Sequence, residues 1–226
     1  MSKKSVVDHY ELEWKKRIDE NGNESFFNYE RNWVLPPLFK SNEEVLDLGS
    51  GNSIVGEYLV KKFNCRVTAL DFSKIAIEAA KKKGVKGIVG SVEDNLPFKN
   101  GYFDLVFWRD NIEHVWQPKL VLKEIYRVLK PKGRVIISTP NQAYWRYRLH
   151  SLLKGELPKT EGTPNQPWEW THIRFFNRNI LNKLLRLCGF KEINFLGVSR
   201  RRLDRVLLKI FPDIFGMIMI VEAKKK

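Results

Sequence analysis

"VLDLGSGNS", Val45 to Ser53, is the stretch whose reading decides the fold. Apolar residues run up to an acid and then break into a loop with two glycines two positions apart. A buried strand that turns into a helix through such a loop can bring backbone close to a ligand, because glycine accepts positive φ and carries no Cβ. Asp71 follows twenty residues after Gly51, at the end of a second apolar run, "CRVTALD". Glycines that admit the ligand and an acid that accepts ribose hydroxyls suit a nucleoside. A dinucleotide fingerprint would need a third glycine where this chain has Ile54, and a P-loop would need a lysine that the loop lacks. The loop therefore suits a nucleoside without a phosphate chain.

Outward from this loop, strand and helix alternate. The pattern predicts a strand in "EEVLDLGS", a helix over Asn52 to Phe63, a strand in "CRVTALD", and a helix over Ser73 to Lys83 capped by Ser73. "GVKGIVGS" and "FDLVFW" read as the third and fourth strands, Pro118 to Leu129 as a helix with proline in its first turn, and "GRVIIST" as the fifth strand. Short apolar strands separated by helices argue for a mostly parallel sheet covered on both faces, the doubly wound α/β class. Asn141 to Arg174 then holds three of the seven Trp and two of the four His with little periodicity, and reads as an inserted cap. A helix over Asn177 to Cys188 stops at Gly189. "FKEINFLGV" and "FGMIMIVEA" read as two final strands able to pair antiparallel at the sheet edge, with a basic amphipathic segment, Arg200 to Phe211, between them. The expected organisation is one domain over 1–226: a helical extension (1–40), a core (41–140), the cap (141–174), and a C-terminal helix with strands (175–226).

Composition sets the outer bounds. With 226 residues, 43% hydrophobic and 29% charged, the chain is globular and long enough for one domain with a sizeable core. The net charge is +14, and from Asn177 onward twelve Lys/Arg face four Asp/Glu. Such a surplus draws an anionic substrate, a membrane surface or nucleic acid, or is a solvated face. "MSKKSVVDHY" and the adjoining "ELEWKKRIDE" lack an apolar export segment, and "FGMIMIV" is too short to cross a bilayer. Cys65 and Cys188 show no metal or disulfide spacing, in keeping with reduced thiols and a cytoplasmic setting.

"VLDLGSGNS", "VTALDFS", "GSVEDNLPF", "FDLVFWRDNIEHV" and "VLKEIYRVLKPKGRVIISTPN", in this order between Glu43 and Asn141, resemble the successive motifs of the class I S-adenosylmethionine-dependent methyltransferases of the type 11 group. The resemblance implies a Rossmann-like seven-stranded sheet with an antiparallel last strand, and S-adenosyl-L-methionine as cofactor. Carried onto this sequence, it implies that Asp47, Gly49, Ser50 and Gly51 surround the methionine part, Asp71 binds the ribose hydroxyls and Phe72 lies against the adenine. Ser91 stands where the family commonly has an acid for the adenine amino group, with Val92 and Glu93 as further contacts, and Arg109 falls near the methionyl end. Ser53 stands where the family often has glycine, a tolerable change if the backbone there is helical. A sulfonium nucleoside needs close backbone approach, carboxylates and no lysine; it brings the reactive methyl, and the protein contributes alignment.

A hydroxyl acceptor also needs a base, and His114 in "DNIEHV" is the candidate, against the alternative that Glu113 and His114 only fix the loop. Asp110, Glu113 and His114 resemble the acid-x-x-Glu-His cluster of ubiquinone-pathway O-methyltransferases, which binds a divalent ion; the reading here assigns no metal. The cap resembles that of MetW-like proteins and of methyltransferases encoded with surface-polysaccharide enzymes. This implies that Tyr144, Trp145, Arg146, Trp168 and His172 roof the acceptor pocket, the alternative being a small core of the cap itself. The expected function is methyl transfer to a small, saccharide-linked or lipid-linked acceptor, at oxygen. Two alternatives stand beside it: an RNA methyltransferase, favoured by the charge, and a non-catalytic MetW-like regulatory partner. Against nucleic acid, "FWRDN" lacks the Asn/Asp-Pro-Pro-Tyr of enzymes that methylate base amino groups, and no cysteine follows the fourth or fifth strand.

Overall fold

The computed structural model describes residues 10–12, 14–16, 26, 30–160 and 172–226. Seven strands form one sheet: β1 (Glu44–Leu48), β2 (Arg66–Asp71), β3 (Lys86–Val89), β4 (Phe103–Arg109), β5 (Leu129–Pro140), β6 (Phe190–Val198) and β7 (Ile218–Lys225). Their order is β3-β2-β1-β4-β5-β7-β6. The first five are parallel neighbours, and β7 runs antiparallel to both β5 and β6. The order reverses at β1 and β4, so the loops after these two strands meet at the switch point where ligands bind in such sheets.

Helices cover both faces. On one, α1 (Ile54–Phe63) and α2 (Lys74–Lys82) bury Ile54, Val55, Leu59, Ile77 and Ala80 against Val45, Val67, Ala69 and Leu105, joined by Phe26, Leu35 and Phe39 of the N-terminal extension. On the other, α3 (Pro118–Val128) and α5 (Arg178–Leu187) bury Val121, Leu122, Ile125, Leu181 and Leu185 against Leu46, Leu48, Val106 and Trp108. Each buried Leu or Ile contributes about 1.5–3 kcal/mol relative to exposure. Ser73 caps α2 by accepting from Ala76 N–H, Asn177 caps α5 in the same way, and Gly189 ends α5 at φ 96°.

The structure departs from expectation in places. The first helix begins at Ile54 because Ser53 is left-handed, with φ 50° and ψ 51°, so the backbone there is not helical. β5 starts directly at Leu129. The stretch read as an aperiodic cap contains a helix, α4 (Trp145–Lys154), and the basic segment between the last strands holds α6 (Arg202–Leu207), followed by the short α7 (Pro212–Phe215). No helix among the described residues is long and apolar enough to cross a membrane.

Candidate active site

The glycine loop leaves β1 at the switch point. Gly49 and Gly51 have φ of 63° and 52°, and a Cβ on either would collide: with Asn111 Oδ1 at 2.3 Å for Gly49, and with Trp14 Cζ2 at 2.3 Å for Gly51. Both positions therefore require glycine for conformation and for space. Ser53, the third residue in the series, takes the same left-handed conformation and donates from Oγ to Asp47 Oδ2 at 2.6 Å.

Two buried acids stand at the ends of β1 and β2. Burial raises the Asp47 carboxyl to about 6, and the Ser53 hydroxyl and nearby Arg109 moderate that rise. Asp71 accepts Gly51 N–H at Oδ2 and Ser73 N–H at Oδ1, both at 2.9 Å. Burial raises its pKa too, against the lowering by those amides. Each carboxylate oxygen has a second lone pair, so Asp71 can fix the loop and still accept hydroxyls. The N-terminal segment lies on this same ground: Tyr10 stacks on Phe72 with ring centroids 4.2 Å apart, and Glu11 accepts from Ser73 Oγ, Lys74 N–H and Ile75 N–H at the start of α2.

After β3, Ser91 Oγ accepts Glu93 N–H at 3.2 Å, Val92 packs on the core, and the Glu93 carboxylate accepts Trp116 N–H at 2.6 Å. After β4, Arg109 donates to buried Asn32 at 3.3 Å. Asn111 then donates from Nδ2 to Gly49 O at 3.0 Å and to Arg109 O at 2.7 Å, lashing this loop to the glycine loop. Sequence reading passed over Asn111 and Trp14; the neighbouring Asn in "RDN" carries no signal of a partner sixty residues away.

His114 is three residues further on. His172, from the cap, stands against it with ring centroids 4.7 Å apart, and among the described residues Glu113, His114 and His172 offer ligand atoms all within 4.8 Å of one another. These three, rather than the Asp110, Glu113 and His114 of the sequence pattern, are the group that could hold a metal ion. Asp110 instead accepts from Ser138 Oγ at 2.7 Å. Glu113 is buried and accepts from Thr139 Oγ1 at 3.0 Å. Burial, with the neighbouring His114, lowers His172 to about 4, so its ring is neutral at physiological pH.

The cap residues lie around an open cleft of about 740 Å³ lined by Tyr144, Trp145, Arg146, Thr160, Arg200 and Arg201 among others. Tyr144 and Trp145 both donate to Asp204 of α6, and Arg146 lies over the Trp145 ring. Thr160 links the cleft to the histidines, its Oγ1 being 2.7 Å from His172 Nδ1. Trp168 lies outside the described residues.

These groups fit a sulfonium nucleoside. The cradle forbids Cβ atoms at Gly49 and Gly51, two carboxylates stand beside it, and no lysine enters the loop. Residues 46–137 match the family model described as a methyltransferase domain. The chain is 32% identical over 71% of its length to a sarcosine/dimethylglycine N-methyltransferase of Halorhodospira halochloris, spanning 60% of that protein. It is 30% identical over 49% of its length to a ubiquinone biosynthesis O-methyltransferase of Xanthomonas oryzae pv. oryzae, spanning 48% of that one. Among solved structures, an S-adenosylmethionine-dependent methyltransferase of Thermotoga maritima superposes with a TM-score of 0.70 at 20% identity, covering 98% of this chain and 99% of its own, a likeness of fold. Residues 46–137 thus carry a methyltransferase domain of the type 11 kind, set in a fold shared with S-adenosylmethionine-dependent methyltransferases.

Proposed function

We propose that the protein, as a single domain in the cytoplasm, methylates a hydroxyl oxygen on a small, lipid-linked or saccharide-linked acceptor. The observation that carries this reading is the His114–His172 pair beside Glu113, joined through Thr160 to the aromatic and cationic cleft. A hydroxyl must lose its proton as it attacks, whereas a neutral amine already presents a lone pair. S-adenosylmethionine supplies an activated methyl group.

The chain's own residues do the rest. Asp71 and the Gly49–Gly51 backbone would hold the nucleoside, and Asp47, when ionised, would offer a counter-charge to its positive amino group. His114 takes the acceptor's proton at a ring nitrogen. His172 adds no opposing charge because it stays neutral, and the Glu113 carboxylate stabilises the resulting imidazolium. Trp145 and Arg146 in the cleft suit a sugar ring and an anionic group, respectively.

The test uses methyl-labelled cofactor with whole extract, followed by chemical analysis of the labelled product. We expect label in a methyl ether or ester; label on nitrogen or in RNA, or cofactor binding without any turnover, would overturn the reading. His114→Ala should lower kcat by roughly 10²–10⁴-fold with cofactor affinity unchanged. In calorimetry, Asp71→Ala should abolish cofactor binding.

A further inference from the structure

We propose that α4 and the helical stretch from Arg202 to Phe211 form a face that docks on an anionic lipid bilayer. Both segments turn a stripe of large aliphatic side chains to solvent. On α4, Leu149, Leu152 and Leu153 share one side, and Leu152 and Leu153 are 81% and 71% exposed. Past α6, backbone hydrogen bonds continue the helical path from Val206 and Leu207 to Phe211. Leu203, Val206 and Ile210 therefore fall three and four residues apart on one face, 66%, 61% and 67% exposed. A helix of a globular protein turns such a stripe to the core. The inward side holds Leu208, packed on Gly197 of β6, and Asp204, 1% exposed, which accepts from Tyr144 Oη, Trp145 Nε1 and Ser199 Oγ. That single carboxylate pins α4 to α6, so both outward stripes belong to one rigid surface.

Charge selects the occupant. The segments 144–159 and 199–211 carry nine Lys/Arg against two acids, Glu156 and the inward Asp204. Arg202, Arg205 and Lys209 alternate with the exposed aliphatics along α6 and its continuation. Single aliphatic side chains standing between cations do not make a groove for a partner helix, and a second copy would present the same positive charge. A bilayer interface accepts both at once: aliphatics sink below the headgroups, while Arg and Lys reach lipid phosphates through their long stems. The face flanks the cleft that leads through Thr160 to His172, so a lipid-linked acceptor would meet the site from the membrane side. That last step rests on the acceptor reading above; docking itself does not.

The experiment is flotation of the full chain with phosphatidylcholine vesicles, with and without phosphatidylglycerol. We expect binding only to the anionic vesicles, weakening with added salt. Arg202→Gln/Arg205→Gln/Lys209→Gln should weaken it by about a hundredfold, roughly fivefold per cation. Leu152→Ser/Ile210→Ser should weaken it by roughly tenfold or more. Cofactor affinity, measured in parallel, should be unchanged in both variants, which shows that they fold. Absence of binding, equal binding to neutral vesicles, or indifference to both sets of substitutions would overturn the proposal. So would a dimer, seen by light scattering, that Leu152→Ser/Ile210→Ser dissociates. If docking fails while label still enters oxygen, only the docking is lost.

Discussion

Ser53 occupies a left-handed position that costs a non-glycine residue about 1–2 kcal/mol. Its hydroxyl offsets that cost by hydrogen bonding to the buried Asp47 carboxylate, a charge-assisted contact of about 1.5–3 kcal/mol. The bond leaves Asp47 still half-protonated near pH 6. An acid whose pKa is raised by burial loses its charge as pH falls through that value. Cofactor affinity should therefore drop about tenfold per pH unit below about 6, and calorimetry from pH 8 to 5 will show it; Asp47→Asn should bind weakly at every pH. The pKa of His172 is displaced the other way, downward. Its pKa of about 4 lies below the ordinary 6.5, so the folded state resists protonation. Its contribution to stability is full above pH 6.5 and is lost as pH falls towards 4, by about 3 kcal/mol. Denaturant titrations at pH 7 and pH 4.5 should show this loss in the parent and a smaller one in His172→Gln.

Among the elements, α4 and α6 depend on Asp204, whose own burial would raise its pKa but whose bonds from Tyr144, Trp145 and Ser199 bring it below the ordinary value. Asp204→Ala should cost about 2–4 kcal/mol by leaving buried donors unpaired, measured by urea unfolding, and should loosen the cleft while sparing the glycine loop. The first five strands and α1 to α3 were legible in the sequence because their apolar residues face a core and keep its period. The pairing of the last two strands was legible for the same reason. α4 was not: its leucines have helical spacing but point to solvent, so the stretch read as irregular cap. The Gly49, Gly51 and Asp71 pattern marked the nucleoside loop, whereas the meeting of His114 with His172 had no trace in either local spacing. Nothing near Gly51 announces Trp14 either, since that contact is made only when the N-terminal segment folds back over the loop.

At the scale of the whole molecule, Arg134 joins the N-terminal extension to both halves of the sheet. It is 3% exposed, pairs with Glu43 through Nη1 and Nη2, donates to Leu38 O at 2.9 Å, and lies 3.0 Å from Glu222 of β7 through Nε. Arg134→Leu strands two shielded carboxylates and should destabilise the protein by about 3–5 kcal/mol, read as a lower urea midpoint without a change of slope. The sheet order has a kinetic corollary. β7 follows β6 in the chain, yet it lies inside the sheet, between β5 and β6. During synthesis the apolar edge of β5 therefore stays open until residues through Lys225 leave the ribosome, a bare template for intermolecular pairing throughout that interval. The yield of native protein will then depend on how fast the ribosome delivers β7, and a pause just before Ile218 will favour aggregation.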